Sequence, residues 1–309
     1  MAFVLLLLCG CGGENNDIRF IFDTAVSLNA DCSDDVLQSA FELCERYKKM
    51  LSRTVEDSDV SRINNSEGAV SVSDDTVRIL SRAMYYSELS GGKFDVTIYP
   101  VSSLWDFKNA VVPSRDEIAE ALKNVDYQSV SIDGNTVTAG KSGVDLGGIA
   151  KGYIADRVEE YLKDGGAKRG IINLGGNIKV FGRKTYTIGI KKPFSDGVSA
   201  SVKLKDKSIV TSGVYERCFE KDGVLYHHIL DPETGYPCKT DLYSATVIGD
   251  SSLDCDALAT VCILSGREKA EEIIESANGF EAIFIDSTGK LYATSGLEKS
   301  NGEYRLSPT

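Results

Sequence analysis

The 309-residue chain has few basic side chains for its length. Its 34 lysines and arginines are outnumbered by 46 aspartates and glutamates, which gives a formal net charge of −12 at pH 7. Affinity for a nucleic-acid backbone comes mainly from cationic side chains. The composition therefore disfavours general nucleic-acid binding. A phosphate-bearing ligand would need local help from backbone amides, a few lysines or a bound metal ion.

Several familiar signatures are also missing. The sequence has no Gly-x-Gly-x-x-Gly after a predicted strand, no Gly-x4-Gly-Lys-Ser/Thr and no His-Glu-x-x-His. It has no low-complexity tract, internal repeat or proline-rich linker, and no apolar run near the ~20 residues that a membrane-spanning helix needs. These absences disfavour standard dinucleotide folds, P-loop enzymes, common zinc sites and multi-span membrane proteins.

The first thirteen residues carry no charged side chain and include an apolar run over residues 3–8. Such a run is typical of the hydrophobic part of a secretory signal. The Leu-Cys-Gly-Cys sequence at 8–11 resembles a bacterial lipobox, so we expect a signal peptide over 1–10, lipidation of Cys11 and a tether over 11–17. The lipid anchor would hold the protein on the extracytoplasmic face of the cell membrane. A frayed apolar start is the alternative.

Cysteine usage gives no clear metal or redox motif. No cysteine after Cys11 has a partner at Cys-x-x-Cys spacing, which disfavours a zinc site or a thioredoxin-like motif. Export would permit disulfides, and the sequence leaves their pairing open.

Predicted helices and strands alternate from about residue 18 to the end, so we expect one domain over 18–309. Hydrophobic periodicity and capping residues predict helices over 34–51, 73–90, 114–123, 149–162, 253–264 and 268–277. Short apolar runs predict strands over 18–29, 130–137 (a hairpin), 170–173, 178–181, 186–190, 198–204, 209–212, 214–220, 224–230, 243–248, 282–285 and 291–294. The triplets at 205–207 and 221–223 are predicted hairpin connections. This order favours an α+β fold with a largely antiparallel sheet over a doubly wound parallel one.

One predicted helix start combines a carboxylate with a hydroxyl. Asp256 and Thr260 are four residues apart, so they share a face of a helix that begins near Ser252. Hard oxygen ligands of this kind suit Mg²⁺. Ordinary polarity at a helix N-terminus, where aspartate is favoured anyway, explains the same pattern.

A second helix start follows Asp145 and opens with Gly147 and Gly148. Because glycine lacks Cβ, a ligand or a metal ion seeking a backbone carbonyl can come close there. Lys151 falls in the first turn, near the positive end of the helix, where phosphate is favoured. A tight strand-to-helix turn capped by Asp145 is the structural alternative.

The two histidines of the chain, His227 and His228, are adjacent. On a strand they point to opposite faces, so at most one faces a given site. Histidine is the natural general base near neutral pH. The following Asp-Pro-Glu-Thr-Gly is also a sound turn sequence, which explains much of this segment without a function.

Two further segments would line a site. Thr211-Ser212-Gly213 ends a predicted strand and offers hydroxyls or amides. Gly91 and Gly92 stop a predicted helix, and Phe94 just beyond them offers an aromatic surface. Trp105, the only tryptophan, is expected in the core.

Taken together, the order and spacing of these segments resemble the FAD:protein FMN transferase (ApbE) family almost from end to end. Six or more motifs in the same order argue against chance similarity. The matching segments are Phe22-Asp23-Thr24, Leu51-Ser52-Arg53, 58–64, 92–97 with Leu104-Trp105, 145–152, 173–178, 211–213, 228–235 with Pro237, and 256–260.

The resemblance implies a T-fold-like α+β domain of two intimate lobes, with a largely antiparallel sheet and helices packed on it, that binds FAD with Mg²⁺. Members of this family cleave the FAD pyrophosphate, transfer FMN to a Thr or Ser hydroxyl of an acceptor protein and release AMP. The implied acceptor is an extracytoplasmic redox protein, in agreement with the anchor expected at Cys11. An FAD pyrophosphatase that yields FMN and AMP, and a lipid-anchored flavin-binding protein, are the alternatives.

Carried over by motif, the resemblance also implies roles for individual residues. The metal ligands would be Asp256, Thr260 and the backbone carbonyl of Gly148, and His228 would be the catalytic base for the acceptor hydroxyl. Contacts to FAD would come from Phe22, Thr54, Lys93, Phe94, Asp95, Asp145, Lys151 and Leu230. Two segments depart from the family: Ser52-Arg53-Thr54 stands where Ser-Thr-Tyr is frequent, and Phe22-Asp23-Thr24 stands where Met-Gly-Thr is usual.

Overall fold

The computed structural model describes residues 14–307, in which helices and strands alternate. The helices in this range are α1 (Asp34–Leu51), α2 (Asp59–Asn64), α3 (Asp74–Leu89), α4 (Tyr99–Ser102), α5 (Arg115–Leu122), α6 (Ala150–Asp164), α7 (Ser252–Ser265) and α8 (Arg267–Ser276). Five begin after a serine whose hydroxyl accepts a first-turn backbone N–H, the interaction that defines an N-cap: Ser33, Ser58, Ser73, Ser114 and Ser251. Within 14–307, no helix is both long and apolar enough to cross a membrane.

An eight-stranded sheet forms the centre of the molecule. Its strands lie in the order β1 (Asn15–Ile21), β2 (Thr24–Ala30), β6 (Arg169–Leu174), β7 (Asn177–Gly182), β10 (Lys207–Gly213), β13 (Leu242–Gly249), β14 (Glu281–Asp286) and β15 (Leu291–Ala293). Every neighbouring pair is antiparallel. The α+β fold with a largely antiparallel sheet is therefore confirmed.

Three smaller sheets surround it. They consist of β16 (Leu297–Ser300), β17 (Glu303–Leu306), β9 (Val198–Leu204) and β8 (Tyr186–Lys191); β11 (Cys218–Lys221) with β12 (Val224–His227); and β3 (Val70–Ser71), β5 (Thr136–Thr138) and β4 (Ser131–Asp133). Strands β17 and β9 pair in parallel.

The two faces of the large sheet are covered differently. On β10, Val210 belongs to the main core shared with the helices, whereas the adjacent Ile209 packs in a second cluster with residues of β8 and β9. This alternation follows from the opposite directions of successive side chains on a strand. Helix α7 is apolar on nearly every side and contacts α6, β10 and β13. Such a helix belongs in the interior, so any polar group on it is carried into the core.

The strand predicted over 18–29 is wrong as a single element. Residues 15–30 form a hairpin, in which Phe22 and Asp23 make the two-residue turn with φ of 56° and 58°. Hairpin turns of this kind usually carry Asn or Gly, so the sequence gives no signal for a turn at this position. Strand β1 begins at Asn15, inside the segment expected to be the tether.

The prediction of a hairpin at 205–207 is also wrong. This segment joins β9 to β10, but the two strands lie in different sheets, because β10 pairs with β7 and β13 while β9 pairs with β8 and β17. The hairpin at 221–223 is confirmed between β11 and β12. The strand predicted over 214–220 begins only at Cys218, and the one predicted over 224–230 ends at His227. The sequence patterns did not predict α2, α4, β3, β16 or β17.

The six cysteines in the described range, from Cys32 to Cys262, are all free thiols. Trp105 is 6% exposed, as expected of a core residue. Its ring stacks on Phe107 with centroids 5.5 Å apart, and its Nε1 donates a hydrogen bond to the Gly235 carbonyl at 3.1 Å. This small cluster supports the loop that follows the histidine pair.

Replacing Trp105 separates its hydrogen bond from its packing. Trp105→Phe keeps a ring but removes the bond to Gly235, so the free energy of unfolding should fall by about 1 kcal/mol. Trp105→Ala also removes the packing and should cost about 3–5 kcal/mol. Urea unfolding followed by circular dichroism measures both, and equal losses for the two variants would contradict this assignment.

Candidate active site

Asp256 is a carboxylate in the interior of the protein. It lies on α7 and is only 4% exposed, and its Oδ2 accepts a hydrogen bond from the Gly152 N–H of α6 at 2.9 Å. The apolar character of α7 brings this side chain inside, and the bond to α6 fixes it there.

Helices α6 and α7 touch through their backbones. A Cβ on Gly152 would collide with the Ser252 carbonyl and would lie 2.6 Å from the Leu253 Cα. Only glycine permits this approach, which aligns the start of α6 with the first turns of α7. The sequence pattern indicated Gly147 and Gly148, and the structure adds Gly152, which serves helix packing.

The same alignment brings together the segments that carry the three expected metal ligands. A Cβ built on Gly148 would lie 3.6 Å from the Thr260 Oγ1. Thr260 is one turn beyond Asp256 on α7, and its Oγ1 is 3.2 Å from the Ser212 Oγ at the end of β10. The segments around Gly148, Ser212 and Asp256 thus meet at one place, although more than 100 residues separate the first and last of them.

The electrostatics of Asp256 favour a nearby cation. Burial raises the pKa of its carboxyl, whereas the Lys151 ammonium, the Gly152 N–H and the Asn177 amide lower the pKa. The Asn177 Nδ2 is buried and has no other hydrogen-bond partner in the described range. A buried carboxylate in this position gains from any further positive charge.

The donor set suits Mg²⁺. One carboxylate, one hydroxyl and a nearby backbone carbonyl are hard oxygen donors, and Mg²⁺ typically binds through one or two carboxylates while waters and phosphate oxygens complete its shell. Residues 14–307 contain no group of three or more His, Cys, Asp or Glu able to hold a metal ion.

Asp145 connects three of the expected binding segments. Its Oδ1 accepts the Gly147 N–H at 2.9 Å, and its Oδ2 accepts Arg53 Nη1 at 3.1 Å and Ser102 Oγ at 2.8 Å. Its own N–H donates to the Val96 carbonyl at 2.8 Å. Arg53 and Ser102 were not anticipated as site residues. The departure of Arg53 from the family motif was their only signal in the sequence.

The segment 93–95 borders this region. Phe94 is 6% exposed, and its ring lies 2.9 Å from where a Cβ of Gly148 would be. Lys93 forms ion pairs with Glu233 at 3.1 Å and Asp231 at 3.8 Å. Phe94 thus touches the glycine turn, while Lys93 reaches the loop after the histidines.

Asp95 is occupied within its own loop. Its Oδ1 accepts the Thr97 N–H at 2.7 Å and the Thr97 Oγ1 at 2.6 Å, and its Oδ2 accepts the Tyr127 N–H at 3.3 Å. These hydrogen bonds of Asp95 stabilise the local backbone. They hold the 93–97 turn against the 126–127 segment.

His228 is largely buried and is held by its backbone. Its N–H donates to the Arg217 carbonyl at 3.1 Å, and its Nδ1 is buried without a partner in the described residues. Burial, followed by the charges of Arg217, His227 and Lys151, lowers the pKa of His228 to about 3. Lys151 therefore acts electrostatically on both His228, the expected base, and Asp256, an expected metal ligand.

Three expected FAD contacts form no hydrogen bond, in the described range, to the residues around Asp145, Gly148 and Asp256. Thr54 is exposed, and its Oγ1 is 3.1 Å from the Ser52 Oγ. The Leu230 side chain is buried against Trp105, so only its backbone is left for a ligand. Phe22 lies in the β1–β2 turn and packs on the main core. Cys11, the expected lipidation site, lies outside the described residues.

Comparison with known proteins gives a consistent result. A model of the ApbE family matches residues 22–284. The chain is 39% identical over 263 residues to the FAD:protein FMN transferase of Klebsiella pneumoniae, which covers 82% of this chain and 83% of the relative. It is 34% identical over 288 residues to the protein of the same name from Treponema pallidum, covering 84% and 80% respectively.

The fold agrees with these likenesses. The crystal structure of the ApbE protein from Thermotoga maritima superposes with a TM-score of 0.85 at 32% sequence identity. The alignment covers 91% of this chain and 97% of the other. The order of the motifs and the architecture therefore point the same way.

The contact between α6 and α7 predicts a large penalty for a methyl group at Gly152. Gly152→Ala should lower the free energy of unfolding by about 3 kcal/mol or more, because the new methyl meets backbone atoms that cannot move aside independently. Gly68→Ala is the matched control, since the nearest atom to its Cβ would be 3.8 Å away. If thermal or denaturant unfolding shows the same small effect for both variants, the close packing of α6 and α7 is refuted.

The histidine environment predicts a specific acid sensitivity. The unfolded chain protonates His228 below about pH 6.5, whereas the folded chain resists protonation down to a pKa of about 3. Between these values the unfolded state binds more protons, so stability falls as the pH falls, by up to about 1.4 kcal/mol per pH unit. His228→Gln should flatten the decline in the free energy of unfolding between pH 6 and pH 4. An unchanged slope would show that His228 titrates normally in the folded protein.

Proposed function

The chain belongs to the ApbE family and transfers FMN from FAD to an acceptor protein, and we propose that the region between the 145–151 turn and α7 carries out this transfer with Mg²⁺. The observation that supports this assignment most strongly is the packing of Gly148 against Thr260, one turn from Asp256 on α7, with Lys151 acting on the Asp256 carboxyl. The oxygen donors suit a metal ion and the Lys151 ammonium suits a phosphate anion, so an FAD diphosphate bound with Mg²⁺ would use both.

The metal would be held by the Asp256 carboxylate, the Thr260 hydroxyl and the Gly148 carbonyl. When bound, Mg²⁺ neutralises diphosphate oxygens and helps AMP to leave. The protein contributes a carboxylate that is already desolvated and fixed by the Gly152 N–H. Because that carboxylate is fixed before the substrate binds, little reorganisation is needed during the reaction.

The nucleotide would be oriented by groups from three segments. Lys151 lies at the start of α6, Arg53 is anchored on Asp145, and Lys93 borders the loop after the histidines. These cations supply the local positive charge that an acidic chain needs for a dianionic diphosphate. Phe94 offers a ring surface next to Gly148.

His228 would accept the proton of the acceptor hydroxyl. The hydroxyl oxygen forms a bond to the phosphorus of the FMN half, the bond from that phosphorus to the bridging oxygen breaks, and AMP leaves with the bridging oxygen and the bonding electrons. The low pKa of His228 keeps its imidazole neutral at physiological pH, so one ring nitrogen has a free lone pair. The negative diphosphate would offset the charges of Lys151 and Arg217, which eases formation of the imidazolium.

We further propose that the chain works at a membrane, anchored through a lipid on Cys11, and that its acceptor is an extracytoplasmic redox protein with a reactive Thr or Ser. The lipobox-like sequence at 8–11 supports the anchor. Strand β1 begins at Asn15, so only a few residues of the sequence separate it from Cys11. The domain would then lie close to the membrane surface.

The test is intact-mass analysis of an acceptor carrying a flavinylation motif after incubation with the protein, FAD and Mg²⁺. The acceptor should gain the mass of FMN and keep it on denaturation. The absence of an adduct with any divalent metal would contradict the proposal. AMP release at the same rate without acceptor would instead identify an FAD pyrophosphatase, in which water replaces the hydroxyl.

Asp256→Asn should lower the rate of FMN transfer by at least about 100-fold, because the metal loses its charged ligand. Asp254→Asn is the matched control on the same helix. Asp254 binds Arg82 at 2.6 Å and the Tyr86 hydroxyl at 2.9 Å on α3, away from α6. A comparable loss in both variants would mean that the effect comes from damage to α7 and not from the metal site.

A further inference from the structure

A buried lysine lies beneath the helix that carries the expected metal ligands. Lys179 is on β7, and its side chain is only 8% exposed. Its Nζ donates to the Asp250 carbonyl at 2.5 Å and lies 3.3 Å from Asp156 and 3.1 Å from Glu159. Burial alone would lower the pKa of Lys179, but Asp156 and Glu159 raise it, so the ammonium stays charged.

Asp156 links Lys179 to the start of α7, because it pairs with the ammonium and also accepts hydrogen bonds from the backbone of α7. Its Oδ1 accepts the Ser252 N–H and its Oδ2 accepts the Leu253 N–H, both at 3.0 Å. These are two of the N–H groups that a helix leaves unpaired in its first turn. The hydrogen bond from Lys179 to the Asp250 carbonyl fixes the backbone just before the same turn. Lys179 and Asp156 together fix where α7 begins.

The start of α7 sets the position of the metal ligands. Asp256 follows Ser252 by one turn, and Thr260 follows Asp256 by another. The Ser252 Oγ also donates to the Asn177 Oδ1 at 2.7 Å, which ties the first turn to β7 a second time. Because α6 carries both Asp156 and Gly152, the same helix holds the first turn of α7 and the carboxylate of Asp256.

Stability alone does not explain a buried ionic cluster of this kind. Taking charges out of water costs several kcal/mol per ion, and well-packed apolar residues of the same volume often give equal or greater stability. Glu159 already has a second partner in Lys163 on α6, so it does not require Lys179. Lys179 joins β7 to α6 and to Asp250, the residue before the N-cap of α7.

We propose that Lys179 is a positioning residue for the divalent-cation site, acting through Asp250 and Asp156 on the first turn of α7. This inference rests on the proposed function, since it takes Asp256 and Thr260 as metal ligands. Lys179 itself touches neither the metal nor the substrate. Its effect is to hold α7 in the one register in which Asp256 and Thr260 face Gly148.

Direct Mn²⁺ binding, followed by electron paramagnetic resonance of the full protein with FAD present, tests this inference without relying on turnover. Lys179→Met should weaken Mn²⁺ binding by about tenfold, the usual effect of losing a group that orients metal ligands. Because this change leaves two buried carboxylates short of a cation, a second variant combines Lys179→Met with Glu159→Gln. This double variant should fold more readily than Lys179→Met alone and should show the same loss of Mn²⁺ affinity.

Two controls separate positioning from stability. Glu159→Gln alone removes a partner of Lys179 without touching α7, so its Mn²⁺ affinity should match that of the unaltered protein. Ile190→Ala truncates a 2%-exposed side chain of the second cluster and should cost about 2–5 kcal/mol of stability. It should nevertheless leave Mn²⁺ affinity unchanged.

The outcomes are distinguishable. Unaltered Mn²⁺ affinity in both Lys179 variants overturns the positioning role and leaves the proposed function standing. An equal loss of affinity in Ile190→Ala also overturns it, because general destabilisation would then explain the effect. If the unaltered protein itself fails to bind Mn²⁺ in the presence of FAD, the proposed metal site falls and the inference falls with it.

Discussion

The hydrogen bond between the Gly152 N–H and the Asp256 carboxylate is the contact on which the rest of the site depends. It requires α6 and α7 to touch at their backbones, which only a glycine at 152 permits. It also makes the burial of a carboxylate tolerable, since an unpaired charge in a protein interior costs several kcal/mol. The close packing of α6 and α7 is therefore also what holds the Asp256 carboxylate in the site.

Charge is distributed to match this arrangement. The chain as a whole is strongly acidic, yet Lys151 influences both Asp256 and His228, Arg53 is anchored on Asp145, and Lys179 lies beneath α7. Each cation is fixed by a carboxylate or a helix end and does not simply add to a basic surface. These cations supply local positive charge for an anionic dinucleotide on an acidic protein.

Local patterns in the sequence predicted local features well. The helix expected over 73–90 is α3, Asp74–Leu89, because a serine cap and an amphipathic repeat mark its bounds. The shared face of Asp256 and Thr260 follows from helical geometry alone. Features that depend on distant pairing were not predictable from such patterns. The partners of β10, the ion pair of Arg53 with a residue 92 positions away, and the buried Lys179 all arise from tertiary packing. The turn at Phe22 and Asp23 was missed because neither residue signals a left-handed backbone.

The most direct measurement is the anomalous diffraction signal of Mn²⁺ in crystals grown with FAD. The account predicts one strong peak within about 2–2.5 Å of an Asp256 carboxylate oxygen and the Thr260 hydroxyl, with the FAD diphosphate on its other side. A peak bound elsewhere, or a diphosphate that lies away from Asp256 while that carboxylate contacts only Gly152, would contradict it.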